Sequence, residues 1–133
     1  MATWTSKELD EIAEAEELSL ASVRRDGTHR RPVVVWVVRA GSGVFVRSVN
    51  GRGVSWFRGA QARHEARVRV GNVEKDITFV ESSERGDEID AAYRSKYGHR
   101  YPTIVPSIVA HEARVATLEL VPRREQTFQR GAA

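Results

Sequence analysis

The sequence predicts a mainly β domain of the α+β class: six antiparallel strands closing fully or partly into a barrel, accompanied by three helices. Three observations lead there. Runs of alternating apolar and polar residues recur along the chain between Asp-Gly, Gly-Ser-Gly and Gly-Asn turns, the punctuation of antiparallel hairpins. Strands and helices do not alternate regularly, so the pattern of a parallel sheet is missing. An open sheet of so many apolar strands would expose long edges, which closure removes. With 133 residues the chain is long enough for one core and short for two, so residues 1–122 are expected to form one domain followed by a polar tail over 123–133.

The first element is a helix. Thr5 and Glu8 have the spacing of a capping box, Trp4 and Leu9 that of a hydrophobic staple, and Leu9, Ile12 and Ala13 form its apolar face. From Leu18 the period becomes two and a strand begins. Asp26-Gly27 supplies a tight turn into a second strand, Arg31–Arg39, apolar at nearly every position and therefore expected to be buried on both faces. Gly41-Ser42-Gly43 turns the chain into a third strand, Val44–Val49. After the loop Asn50-Gly51-Arg52-Gly53, Ser55 is placed to cap a short helix that carries Trp56, Phe57 and Ala60 inward.

Two more alternating runs, Arg67–Val70 and Val73–Val80, flank Gly71-Asn72. Ser83 is placed to cap a helix over Glu84–Tyr97, with Ile89, Ala92, Tyr93 and Lys96/Tyr97 along one stripe and Gly98 as its stop. A loop containing Pro102 and Pro106 leads to the last strand, Ala113–Val121. The pentapeptide His-Glu-Ala-Arg-Val occurs at 64–68 and again at 111–115, too far apart and in surroundings too different to mark a repeat architecture.

Composition excludes several chemistries. There is no cysteine, hence no disulfide, thiolate metal site or cysteine nucleophile. His29, His64, His99 and His111 are isolated, without metal-ligand spacing, and no Gly-x-Ser-x-Gly elbow is present. The acidic start lacks the basic, apolar layout of a signal peptide, and no apolar run is long enough to span a bilayer, so a cytoplasmic location is expected. The net charge of +3 is scattered, with no dense basic patch interleaved with aromatics, which argues against nucleic acid as a partner.

Arg47-Ser48-Val49-Asn50-Gly51-Arg52-Gly53-Val54-Ser55-Trp56 runs from a strand end through a glycine loop into a helix start. Arginines supply forked donors, serines short bonds and a helix N-terminus free N–H groups, which together make an anion site. The same segment also reads as a plain strand-to-helix turn with solvated arginines, since Gly51-Arg52-Gly53 matches no phosphate-loop spacing.

The run SLASVRRDGTHRRPVVVWVVRAGSGVFVRSVNGRGVSWFR, together with the later YRSKYG, resembles the FMN-binding split-barrel superfamily of pyridoxamine-phosphate-oxidase-like and deazaflavin-dependent proteins, and within it a family of uncharacterised bacterial proteins. The resemblance extends from Trp4 to about Pro122 and implies a split barrel that holds FMN or a deazaflavin of the factor 420 type at a homodimer interface. It implies that Val34, Val35 and Trp36 wall the ring, and that Arg47, Ser48, Arg52, Ser55 and Trp56 hold phosphate or ribityl groups. Arg52 stands where the superfamily has a lysine, which keeps the charge and changes the geometry.

Tyr93 and Tyr97 lie four apart on one helix face with Lys96 beside them, a tyrosine–lysine pair able to act as acid and base, or else two packing aromatics and a snorkelling lysine stem. The function implied is oxidoreductase-like transfer of hydride or electrons to a small organic substrate. The alternative is a non-catalytic module binding an anionic ligand or coenzyme.

Overall fold

The computed structural model describes residues 3–82 and 84–123. Strands β1 (Leu18–Ser22), β2 (Val33–Val35), β3 (Val38–Ala40), β4 (Gly43–Arg47), β5 (Glu65–Val70), β6 (Val73–Glu81) and β7 (Thr117–Pro122) form one antiparallel sheet. Its order is β2-β1-β5-β6-β7-β4-β3.

The fold class is the one predicted, with seven strands in place of six because the run 31–39 is two strands. Val33–Val35 pairs with β1, whereas Val38–Ala40 pairs with β4, at the opposite edge. Only Trp36 and Val37 separate them, and three Cα steps span at most about 11 Å. The two edges must therefore approach, which curls the sheet into a half-barrel. The expectation that both faces of this run are buried fails at Val34, which is 61% exposed, and at Arg39, because both lie on edge strands whose outer face meets solvent.

Helix α1 (Ser6–Glu14) has the predicted capping box: Thr5 Oγ1 accepts from the Glu8 amide and Glu8 accepts from the Thr5 amide. Trp4 and Leu9 are buried, and the Trp4 indole N–H donates to the Leu120 carbonyl at 2.9 Å. Ala13, assigned to the apolar face, is exposed. Helix α2 (Ser55–Arg63) is capped by Val54, not by Ser55, which occupies its first turn without a capping bond. Helix α3 (Gly86–Tyr97) begins two residues later than predicted, and the capping role assigned to Ser83 falls outside the described residues. Short helices α4 (Val105–Ile108) and α5 (His111–Arg114) occupy the predicted loop and the predicted start of the last strand, which begins at Thr117. Apart from Arg123, the polar tail lies outside the described residues.

Two apolar clusters result. One fills the curl with Leu18, Leu20, Val44, Val46, Phe57, Val68, Phe79 and Leu120 among others. The other lies outside it, where Ile89, Tyr93 and Tyr97 of α3, with α4 and α5, cover Val38, Ala40 and Phe45. Strand β4 is consequently buried at every position, Val44 and Val46 facing one cluster and Phe45 the other. Among the described residues no helix is long and apolar enough to cross a membrane.

Candidate functional site

Alternation along β4 sends Arg47 to the same side as Phe45, under α3. Its side chain is fully buried: it pairs with Asp90 and donates to Thr117 Oγ1 at 2.9 Å and to the carbonyls of Ile108 at 3.0 Å and Gly86 at 3.2 Å. Those bonds hold β4, α3, α4 and β7 together and leave the guanidinium no face for a ligand. Ser48 is buried as well, with no hydrogen-bond partner for its hydroxyl among the described residues.

Arg52 leans toward β6 and β7. It donates to Glu81 at 2.8 Å and to the Val115 carbonyl at 2.7 Å, its guanidinium lying over Phe57. Glu81, held also by Gln61, has its carboxyl below the usual range because of the bond from Arg52. Arg47, Ser48 and Arg52, neighbours in sequence, thus do not converge.

Ser55 and Trp56 do meet an open groove of about 470 Å³ between β1, β2 and the start of α2. Its walls include Ser22, Val33 and Val54, and Arg24, Arg30 and Arg31 line it. A second recess of about 390 Å³ adjoins it through Arg30 and Ser55 and adds Arg58. Among the described residues no carboxylate lines either one. Among the described residues Arg24, Arg30, Arg31 and Arg58 form no ion pair. Arg24 is steadied by the Thr28 hydroxyl and by the His29 carbonyl at 3.0 Å. Arg30 lies close against α2 because Gly59 has no side chain: a Cβ there would come within 3.0 Å of Arg30 Nε.

These arginines were not singled out in the sequence. The signal available was the Arg-Arg-Pro run at 30–32, which ends the hairpin return and so delivers both cations beside β1; the Arg30 amide bonds the Ser22 carbonyl at 2.8 Å. Four arginines that form no ion pair among the described residues, set along a concave, partly apolar wall and its adjoining recess, suit an anion, and the N-terminus of α2, which has no side-chain cap, adds to this.

Of the three residues assigned to a ring wall, Val34 points away from this groove, opposite Val33. Val35 packs toward the interior of the curl. Trp36 is stacked on Tyr97, centroids 4.0 Å apart and planes 4° from parallel.

Tyr93 is fully buried, its hydroxyl unpartnered among the described residues and its pKa pushed up by burial. Tyr97, also pushed up by burial, accepts from the Val37 amide at 3.1 Å and donates to the Glu16 carbonyl at 2.7 Å. Lys96 Nζ donates to the carbonyls of Ile12 at 2.9 Å and Val37 at 2.7 Å. Lys96 and Tyr97 line a separate pocket of about 390 Å³ that shares no residue with the arginine groove.

A half-barrel of this order, with one helix after the β4 turn and another laid across β3 and β4, is the split-barrel fold, and solved structures share it. One is the conserved hypothetical protein Rv2991 from Mycobacterium tuberculosis (TM-score 0.65, 13% identity, covering 90% of this chain and 81% of that one). Another is HutZ, the heme storage protein from Vibrio cholerae (TM-score 0.60, 16% identity, 94% and 93%). A third is a FAD-binding protein from Mesorhizobium loti (TM-score 0.56, 15% identity, 92% and 92%). No curated protein matches the sequence. The chain belongs to the bacterial family described as "Uncharacterized protein conserved in bacteria (DUF2255)", which it matches over residues 8–120.

Proposed function

We propose that this chain binds a flavin-type coenzyme, FMN or a deazaflavin of the factor 420 type, with the phosphate held in the arginine groove, and that it acts as a homodimer. The observation that carries this reading is the set of Arg24, Arg30 and Arg31 around the groove, joined through Arg30 to Arg58 in the adjoining recess, with no carboxylate lining either among the described residues. Such a set attracts a multiply charged anion, and Arg binds phosphate through two parallel donors. Val33, Val54 and Trp56 supply the apolar wall a flat ring needs, and the groove and its recess fall in the size range of coenzyme sites. Two proteins of the same fold, one FAD-binding and one a heme storage protein, are named for planar ligands that carry anionic groups.

When bound, the coenzyme supplies hydride or electron transfer to a small organic substrate. The chain's own part is to bind and orient: Ser55 and the first-turn amides of α2 bond the anion, the arginines neutralise it, and Trp56 and Val33 exclude water beside them. Ser48 and Arg52, assigned to the phosphate in sequence, keep a supporting part in the turn ahead of α2: the Gly51 amide bonds the Ser48 carbonyl at 3.0 Å, and Arg52 ties the turn to Glu81 and the Val115 carbonyl. Val34, a β-branched side chain exposed on an edge strand, supports the dimer as a contact for a second copy.

The test is a titration of the purified protein with FMN, the deazaflavin and riboflavin, followed by fluorescence and thermal shift. Micromolar or tighter binding of one phosphorylated coenzyme, with riboflavin about tenfold weaker or more, is expected from the value of charged hydrogen bonds. Absence of binding to all three overturns the reading.

A second reading, a coenzyme carrier without turnover, is favoured by one feature: among the described residues no His, Lys, Tyr, Asp or Glu lines the groove or its recess. Mixing the bound, reduced coenzyme with candidate acceptors in a single turnover separates the two, since a carrier leaves it reduced.

A further inference from the structure

We infer that the recess beside the arginine groove is a second phosphate subsite, so that the ligand carries two linked phosphoryl groups, one on either side of Arg30. The inference rests on the reading of the groove as a phosphate site and narrows it. Among flavin-type coenzymes it selects one whose phosphate is extended by a second, as in a dinucleotide, over one that ends in a single phosphate.

The groove and the recess, about 470 and 390 Å³, have Arg30 and Ser55 in common and otherwise different walls. Leu20, Val33, Val54 and Trp56 give the groove an apolar side for a ring. The recess has none. Apart from Arg30, Arg58 and Ser55 it is lined by Gly53, Gly59 and Ala62, so its floor is main chain and one methyl group. Such a concavity offers a ring nothing to pack against and suits a small, charged group that takes forked hydrogen bonds.

Arg30 is seated at the junction. Its side chain crosses α2 at Gly59, where a Cβ would come within 3.0 Å of Nε and 3.4 Å of Cδ. A guanidinium presents five N–H donors in a rigid fork, more than one phosphoryl group takes up, and so serves a group on each side. Ser55 begins α2, whose N-terminus has no side-chain cap and no acidic residue in its first turn, so the positive end of that helix also falls at the junction. Arg24 and Arg31 lie on the groove side and Arg58 on the recess side. A monophosphate seated in the groove leaves Arg58 unused, whereas a diphosphate reaches it.

Gly53 points the same way. Its φ is outside the left-handed region, and a Cβ there would meet nothing within 4 Å. Neither the turn nor the packing of this chain requires glycine at that position, and the space left by its missing side chain belongs to the recess.

Gly53→Leu makes the test direct, since it fills the recess without backbone strain and without changing charge. Isothermal titration at pH 8 and fixed ionic strength compares inorganic phosphate with pyrophosphate on the parent protein and on Gly53→Leu, Arg58→Ala and Arg63→Ala. Arg63 is an exposed arginine in the last turn of α2, outside both concavities. Pyrophosphate is expected to bind about tenfold tighter than phosphate, the lower end of what a further charge-assisted contact contributes. Gly53→Leu and Arg58→Ala are expected to bring that ratio below about threefold, whereas Arg63→Ala keeps it. FAD and FMN carry the question to the coenzyme. Both bear about two negative charges at this pH, so a preference for FAD of about tenfold that Gly53→Leu abolishes reports spacing and not charge.

A preference for pyrophosphate below about threefold in the parent, or one that survives both Gly53→Leu and Arg58→Ala, overturns the inference. The coenzyme reading is tested apart from it. FMN bound tightly, with no preference for pyrophosphate, leaves that reading standing and removes the second subsite. Pyrophosphate preferred, with no flavin bound, keeps the two subsites and removes the flavin.

Discussion

Arg47 and Asp90 form an ion pair from which water is excluded, with Arg47 bonded in addition to Thr117 and to two main-chain carbonyls. A buried pair of this kind is costly to break because the survivor is left charged in an apolar setting. Arg47→Ala and Asp90→Asn are each expected to destabilise the fold by about 3–5 kcal/mol. Urea denaturation measures this; a midpoint within error of the parent protein's would show that the pair is not structural.

The arginine groove makes a contrasting prediction. Arg31→Ala and Arg30→Ala each remove a charged donor from the proposed phosphate site, a loss of about 1.5–3 kcal/mol or roughly ten- to hundredfold in affinity. Arg52→Ala removes an exposed pair with Glu81 and is expected to change affinity less than about threefold. Isothermal titration with FMN or the deazaflavin ranks the three, and Arg52 as the most damaging of them would return the site to the loop after β4. Binding is also expected to weaken with added salt.

Three tryptophans allow the occupied groove to be located. Trp4 is buried with its N–H bonded to Leu120, Trp36 is stacked on Tyr97, and Trp56 lines the groove. Coenzyme binding is expected to quench Trp56, so Trp56→Phe loses most of the ligand-dependent quench while Trp36→Phe keeps it. The reverse pattern would place the ring beside β2 and Trp36, as the resemblance to flavin split barrels implied.

Local signals such as the Thr5–Glu8 box, the Asp26-Gly27 turn with its positive φ at Gly27 and the alternation within β4 to β6 made the fold class legible, because each is decided by a few adjacent residues. The break at Trp36-Val37 was not legible. An apolar run reads the same whether one strand or two, and only pairing with β1 on one side and β4 on the other divides it. The two His-Glu-Ala-Arg-Val segments make the point directly: residues 65–68 lie in β5 with Val68 buried, whereas 111–114 form α5 and Val115 is 38% exposed. Contacts far along the chain choose between the two states. The arginine groove was not legible for the same reason. The alternation that placed Arg47 opposite Val46 was visible, but not that α3 would cover that face, and the pairing of Arg30 and Arg31 with Arg58 across β1 and α2 has no trace in local spacing.

Lys96 also sets a pH dependence whose sign follows from burial. Its folded pKa, about 8, lies below that of an ordinary lysine, so between pH 8 and the unfolded value near 10.4 the unfolded chain binds more protons than the native one. Stability contributed through this group therefore rises with pH across that window. Tyr93 and Tyr97 work in the opposite direction. Burial raises both above the ordinary tyrosine value, so above about pH 10 the native state holds protons that the unfolded chain has released, and stability falls. Replacing Lys96 by Met removes the first contribution and leaves the second. The difference in unfolding free energy, parent minus Lys96→Met, is expected to increase from pH 7.5 to 10, measured by urea denaturation at each pH. A flat difference would mean that the ammonium is as well accommodated in the folded pocket as in water.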